Sequence, residues 1–144
     1  MFKHILLPTD GSDSALRAVA RGAELAQALG AEVTVMTAIE HFPAGIMGSA
    51  YRPDDDDLHQ AARDAAAQRL SAAEEAIAGM GLKVHRILTQ ERTVYQAILE
   101  AAKTSGADLI VMGTHGLGAI ERLLVGSQTQ RVLAHTNLPV LVLH

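Results

Sequence analysis

Five short apolar segments alternate with amphipathic helical patterns along the chain, and this alternation limits the folds that it can adopt. Segments such as HILLP and ADLIVMG are too short to be buried helices and are typical of buried strands. Strands that alternate with helices form parallel βαβ units with right-handed crossovers. The sequence therefore predicts an α/β fold with an open five-stranded parallel sheet in the order 3-2-1-4-5 and helices on both faces.

The same patterns give approximate bounds for the elements of this Rossmann-like sheet. The predicted strands cover residues 4–8, 32–39, 82–89, 107–113 and 138–144, and the predicted helices cover 12–29, 58–80, 94–105 and 127–135. Ser12 or Asp13 is the expected N-cap of the first helix, Gly30 follows its end, and Thr93 is the expected N-cap of the third. The polar segment 41–57 is expected to be a loop. No linker or repeat interrupts the pattern, so residues 1–144 are expected to form one domain.

Composition excludes several classes of function. The net charge of −4, with two Phe, two Tyr and no Trp, argues against a basic or aromatic surface for nucleic acid. The absence of Cys excludes disulfides, thiolate metal sites and Cys nucleophiles. No window approaches the roughly 20 apolar residues that span a bilayer, and the N-terminus lacks a signal-peptide pattern. We therefore expect a cytoplasmic protein with no nucleic-acid partner and no membrane partner.

Two loops of the predicted sheet are candidates for ligand binding. In open α/β sheets, ligands bind beyond the carboxyl ends of the strands, where the strand order reverses. In this order the crevice lies between the first and fourth strands. The segments that leave those strands, PTDGSDS and GTHGLGAIERLLVGS, are both rich in Gly, Ser, Thr or Asp. Topology and composition therefore indicate the same crevice.

The second of these segments has the residues of a phosphate site that uses backbone amides. Gly113, Gly116 and Gly126 carry no Cβ, so their backbone can approach an anion closely. Ser127 begins the last helix, where unpaired N–H groups and the helix dipole favour phosphate, and Thr129 offers a second hydroxyl. A Walker motif would need a Lys after Gly126, and none is present. A turn-rich loop without a ligand remains the alternative.

The segment GTHGLGAIERLLVGS resembles the ATP-binding motif of the universal stress protein family, which is Gly, two residues, Gly, nine residues and Gly-Ser/Thr. The opening ILLPTDGS, the segment GADLIVMGTHG and the ending GSQTQRVLAHTNLPVLVLH are similar to the family as well, so the resemblance covers the whole chain. It implies an adenine nucleotide alpha-hydrolase-like fold and a stress-response regulator that binds ATP, ADP or AMP, often with Mg²⁺ or Mn²⁺. It also implies slow or absent ATP hydrolysis and a homodimer.

The resemblance also implies roles for individual residues. The phosphates would be held by the motif glycines and by Ser127, with Thr129 as a further contact. Asp10 would lie near the ribose and the metal ion, and capping of the first helix is the alternative that the residues alone allow. The backbone of Ala38 would read adenine. The full implied nucleotide-binding set is Pro8, Thr9, Asp10, Ala38, Met112, Gly113, His115, Gly116, Gly126, Ser127, Gln128 and Thr129.

One loop departs from the family pattern. After the third strand the family often has a Gly-x-Pro turn, whereas here Glu91 stands at the Gly position and Thr93 at the Pro position. In relatives this loop borders the nucleotide. A carboxylate at this place is therefore expected to weaken binding or to alter base preference.

The two edge strands of the predicted sheet differ in character. The third strand carries Lys83, His85 and Arg86, as a protected edge does, whereas the segment LPVLVLH is apolar on both faces. We therefore expect two copies of the chain to pair through residues 140–143 and to form a homodimer.

Two other functions remain open at this point. The loop TDGSDS loosely resembles the Ser-Gly-Gly-x-Asp-Ser loop of adenylating enzymes with related architecture. The second alternative is a dimeric scaffold whose nucleotide site has decayed. The departure from the family pattern at Glu91 is the observation that favours it.

Overall fold

The computed structural model describes residues 1–39, 56–91, 93–114 and 126–144, and strands and helices alternate along them. The strands are β1 His4–Pro8, β2 Glu32–Ala38, β3 Val84–Thr89, β4 Leu109–Gly113 and β5 Val140–Leu143. The helices are α1 Asp13–Leu29, α2 Asp56–Ala76, α3 Val94–Ser105 and α4 Ser127–His135. Most of the predicted loop 41–57 lies outside the described residues, and its last two residues belong to α2.

The sheet has the order β3-β2-β1-β4-β5, which confirms the predicted topology. All four pairings are parallel. Strand β1 lies at the centre, where Ile5 is level with Val33 of β2 on one side and with Leu109 of β4 on the other. The carboxyl ends of β1 and β4 therefore lie side by side, at the place where the strand order reverses.

Helices α1 and α2 cover one face of the sheet. The core there joins Leu7, Val35 and Val111 of the strands to Val19 of α1 and Leu70 of α2, all of which are buried. Gly22 allows α1 to lie close to the sheet, because a Cβ on it would collide with the Cδ2 atom of Leu7. The small residues of the first helix are therefore a packing feature.

Helices α3 and α4 cover the other face. Leu6, Met36 and Ile110 of the central strands pack there against Ile98 of α3 and Val132 of α4. The central strands β1, β2 and β4 are thus buried on both faces, as strands of a parallel sheet covered by helices are expected to be. Among the described residues, none of the helices has the length and apolarity needed to cross a membrane.

The helix caps follow the sequence closely. The Ser12 hydroxyl accepts a hydrogen bond from the Ala15 N–H at 3.2 Å, which makes Ser12 rather than Asp13 the N-cap of α1. Gly30 ends α1 in the left-handed conformation, and Thr93 caps α3. The prediction for the second helix was wrong at its end, since α2 stops at Ala76 and not at residue 80. The chain turns there through Gly79, which has φ +82°.

A polar cluster lies at the amino end of the sheet, opposite the crevice. Glu32 of β2 contacts Lys83 at 2.8 Å and His85 at 2.9 Å, and these hydrogen bonds lower its pKa to about 2. The His4 ring stacks on the His85 ring with centroids 5.6 Å apart. Burial, followed by the charge of His85, lowers the pKa of His4. Burial alone would raise the pKa of Asp108. Its carboxylate accepts hydrogen bonds from the backbone N–H groups of Lys3 and His4, and these keep its pKa below the ordinary value.

Candidate functional site

The loop between β1 and α1 is tied to the neighbouring strand β2. The Thr9 N–H donates to the Met36 carbonyl oxygen at 2.9 Å, and the Thr37 hydroxyl donates to the Thr9 carbonyl oxygen at 2.7 Å. The Thr9 hydroxyl accepts from the N–H of Gly11, whose φ of +81° gives the loop its sharp turn. The predicted site residues Pro8 and Thr9 are both buried and lie at the carboxyl edge of the sheet.

Asp10 has a local structural role in this loop. Its Oδ1 atom accepts the Ser12 N–H at 2.9 Å, one residue before α1 begins. The local alternative considered from the sequence is therefore partly correct, although Ser12 and not Asp10 caps the helix. Across the described residues, no group of three or more His, Asp or Glu side chains is arranged to hold a metal ion. Asp10 stays a predicted metal contact that would act with oxygens of the ligand.

Arg69 of α2 lies against the same loop, and the sequence pattern did not single it out. A Cβ on Gly11 would be 3.0 Å from the Arg69 Cγ atom. The contact joins residues 58 positions apart and depends on how α2 packs beside α1. No sequence signal could have identified it.

The end of β4 lies beside the first turn of α1. A Cβ on Gly113 would be 3.1 Å from the Ser14 Oγ atom and 3.3 Å from the Ser14 carbonyl oxygen, so glycine permits this close approach. Met112, one residue earlier, is buried. The chain enters α4 beside this point, where the Gly126 N–H donates to the Thr114 carbonyl oxygen. The first and last glycines of the motif are therefore neighbours in space.

The first turn of α4 is held by two of its side chains. The buried Thr129 hydroxyl donates to the Gly113 carbonyl oxygen at 3.0 Å. The Gln128 Oε1 atom accepts the Tyr95 N–H of α3 at 3.1 Å. Ser127 is exposed. Of these three predicted ligand contacts, Ser127 presents its side chain to solvent, while Gln128 and Thr129 anchor the turn to the rest of the fold.

Helix α4 begins without a side-chain cap. Its N-cap residue is Gly126, which makes no side-chain cap hydrogen bond, in contrast to Ser12 in α1 and Thr93 in α3. The first N–H groups of a helix have no partner within the helix, and together with the helix dipole they favour an anion. Among the helices with a described N-cap, α4 is therefore the one that starts without a side-chain cap from its N-cap residue.

The remaining predicted residues lie further along the carboxyl edge. Ala38 ends β2 beside Thr89 of β3, and the next N–H, of Ile39, donates to the Thr89 carbonyl oxygen at 2.8 Å. Glu91 is exposed two residues beyond the end of β3. His115 and Gly116 lie outside the described residues. The structure thus places the described members of the predicted set at the carboxyl end of the sheet, on the last residues of β1, β2 and β4, on the loop after β1 and at the start of α4.

A separate cavity of about 480 Å³ lies between α2 and β3. Its lining includes Glu74, Glu75, His85 and Arg86, at the amino end of β3. It therefore lies at the opposite end of the sheet from the crevice, and none of the predicted ligand contacts lines it.

Comparison with known proteins agrees with this architecture. A model of the universal stress protein family matches residues 1–144. A universal stress protein of Thermus aquaticus is 42% identical over 146 residues, which cover 99% of this chain and 98% of the relative. A solved structure of a family member from Burkholderia pseudomallei is 28% identical with a TM-score of 0.79, covering 98% of this chain and 95% of that one. A universal stress protein solved in complex with cAMP is 28% identical with a TM-score of 0.69, covering 99% and 97%.

The sheet order and the loops at its carboxyl edge define a Rossmann-like α/β protein. The chain belongs to the universal stress protein family, as the sequence resemblance indicated.

Proposed function

We propose that this protein binds an adenine nucleotide, ATP foremost, at the carboxyl edge of the sheet, and acts as a dimeric stress-response regulator with slow or no hydrolysis. The observation that carries the proposal is the start of α4, which lacks a side-chain cap and lies beside the backbone of Gly113. A relative of the same fold, solved in complex with cAMP, supports an adenine nucleotide as the ligand.

The phosphate end of the ligand would lie at the first turn of α4. The turn offers backbone N–H groups and the exposed Ser127 hydroxyl, and the Thr129–Gly113 bond keeps the turn against β4. Neutral donors of this kind bind phosphate at helix N-termini without a Lys. The described groups therefore fit a polyphosphate chain. Gly116 and His115 are proposed to complete the cradle.

The sugar and base would lie towards β1 and β2. The Asp10 side chain is held at the loop after β1, where a ribose hydroxyl or a phosphate-bound Mg²⁺ or Mn²⁺ ion would meet it. The backbone of Ala38 lies at the end of the next strand, where we propose that it reads adenine. Pro8, Thr9 and Met112 would form the wall between these two ends.

The dimer is proposed from the edge strand β5. This strand has a neighbour on one side only within the described sheet, and Leu141 is exposed on it. An apolar edge strand with unpaired backbone groups favours pairing with another strand. A second copy of the chain offers the same strand in the complementary orientation.

The experiment compares the wild type with a Gly126→Val, Ser127→Ala double variant. Gly126 has φ −55° and ψ 152°, which valine can adopt, so the substitution fills the cradle without straining the backbone. We expect adenine nucleotide to co-purify with the wild type, as detected by mass spectrometry, and ATP binding by calorimetry to be lost in the variant. Ser105→Ala, at the far end of α3, is the control and is expected to bind like the wild type.

The rival functions give different results in the same assay. Rapid transfer of adenylate with multiple turnovers would indicate an adenylating enzyme. Absence of ATP binding by the wild type and the variant alike would indicate a scaffold whose site has decayed.

A further inference from the structure

Helix α4 contacts α3 through a side chain of its first turn. The Gln128 Oε1 atom accepts the N–H of Tyr95, a residue 33 positions earlier, at 3.1 Å. Tyr95 is the second residue of α3, and the N–H groups of a first helical turn have no partner within their own helix. Gln128 therefore caps α3 from a neighbouring helix, beside the local cap that Thr93 provides.

The ring of Tyr95 contacts the same face of α4. The His135 ring centroid is 5.0 Å from the Tyr95 centroid, and the Arg131 guanidinium carbon is 5.8 Å from it. Residues 128, 131 and 135 are spaced by three and four positions, so they lie along one side of the helix. One residue of α3 thus contacts α4 near its start and near its end.

The first turn of α4 has two anchors that point to different elements. Thr129 binds the Gly113 carbonyl oxygen of β4, and Gln128 binds the Tyr95 N–H of α3. The backbone N–H groups proposed to receive phosphate belong to this same turn. Two side-chain hydrogen bonds, together with the backbone bond from the Gly126 N–H to the Thr114 carbonyl oxygen, therefore orient these N–H groups, and loss of either side-chain bond loosens the turn.

We propose that Gln128 is a positioning residue, which aims the first turn of α4 at the phosphates and couples phosphate binding to the start of α3. This inference rests on the proposed function and makes it more specific. Binding of the phosphates therefore depends on Gln128, whereas binding of the nucleoside does not. Bound phosphate also changes the environment of the Tyr95 amide, and through it the loop that carries Glu91.

The test uses Gln128→Met, which keeps the length of the side chain and removes its acceptor. Loss of a hydrogen bond that leaves a partly buried N–H unpaired corresponds to about a tenfold change in an equilibrium constant. By calorimetry we expect ATP and inorganic tripolyphosphate to bind about tenfold more weakly to the variant, with adenosine binding unchanged. His135→Ala is the matched control, since it removes a contact with the same Tyr95 ring at the far end of α4, and it is expected to keep wild-type ATP affinity.

A second readout does not depend on affinity. In amide NMR of the wild type, the Tyr95 resonance is expected to shift when tripolyphosphate is added, and the Tyr95 amide is expected to exchange faster in Gln128→Met. An unchanged ATP affinity in Gln128→Met, or an equal loss for ATP and adenosine, would overturn the positioning role and leave the proposed function intact. A wild type that binds no ATP would instead overturn the proposed function, and this inference with it.

Discussion

The Thr129 hydroxyl donates a 3.0 Å hydrogen bond to the Gly113 carbonyl oxygen, and this bond joins the first glycine of the motif to a residue two positions beyond its closing Ser127. Thr129 is almost completely buried, with 4% of its surface exposed. A residue to which the family resemblance assigns a phosphate contact therefore directs its hydroxyl at the protein backbone.

Replacement of Thr129 by valine is expected to destabilise the fold by about 1–3 kcal/mol, because a similar shape without the hydroxyl leaves the Gly113 carbonyl unpaired. The free energy of unfolding from urea titration measures this loss, and ATP affinity should fall with it. Thr129→Ser retains the donor and should lie nearer the wild type. Equal stability of the valine and wild-type proteins would contradict the structural role of the bond.

A charge on the β5 edge is expected to separate the proposed dimer. Leu141 is 38% exposed on β5, and Val84 is 37% exposed on β3, the other edge strand. We expect Leu141→Lys to be a monomer by light scattering at micromolar concentration, because a desolvated ammonium opposes strand pairing.

Val84→Lys is the matched control for that variant and should keep the size of the wild type. A wild type that is itself monomeric at this concentration would show that β5 is not the interface. The same result for both lysine variants would show that the effect is not specific to β5.

Gly22→Ala is expected to destabilise the protein although alanine favours helices. In an unconstrained helix the change would stabilise by about 1 kcal/mol. Here the added Cβ meets Leu7 and Val111, both buried, and overpacking of a tight core costs about 1–3 kcal/mol. Thermal unfolding measures the net effect. The Ala28→Gly variant, at an exposed position of the same helix, measures the contribution of helix propensity without a change in core packing. A higher melting temperature for Gly22→Ala would show that the packing between α1 and the sheet adjusts to the added methyl group.

The polar cluster at the amino end of the sheet predicts part of the acid denaturation. The Lys83 and His85 hydrogen bonds lower the pKa of Glu32 from its ordinary 4.5 to about 2. Between these values the unfolded chain binds more protons than the folded one, so this contribution to stability is present above pH 4.5 and is lost as pH falls towards 2.

The Glu32→Gln variant should therefore lose less stability than the wild type between pH 4.5 and 2, as followed by thermal unfolding at each pH. Glu100→Gln, an exposed carboxylate on α3, removes the same charge and should retain the wild-type slope. Parallel curves for the wild type and Glu32→Gln would show that the cluster does not carry this pH dependence.

The order of the strands was predictable because short strand segments, most of them apolar, alternate with helical patterns, and this alternation is typical of a parallel βαβ sheet. The caps Ser12, Thr93 and Gly30 were predictable because they depend on a few adjacent residues. The end of α2 was not, since the helical period continues past Ala76 while the chain turns at Gly79. Local sequence determines these features, and the error lies where a turn overrides the period.

The contacts of the site were less predictable than its location. Topology and glycine spacing located the crevice, but neither shows that Gln128 binds Tyr95 or that Arg69 lies against Gly11. Those contacts join residues far apart in the chain, and they depend on the relative position of two packed helices. The motif therefore identifies which turn is used, and the packing determines which of its side chains remain available.

Helix α4 has nine residues and, unlike α1 and α3, starts without a side-chain cap from its N-cap residue. Short helices fray readily, and local unfolding of such elements costs less free energy than unfolding of the core. An oxyanion bound to the folded turn and not to the frayed one stabilises the turn by mass action. Occupancy of the site then shifts the opening equilibrium of this one short helix. The amide exchange rates of its first turn should therefore fall as the ligand concentration rises, and their dependence on concentration gives a binding isotherm.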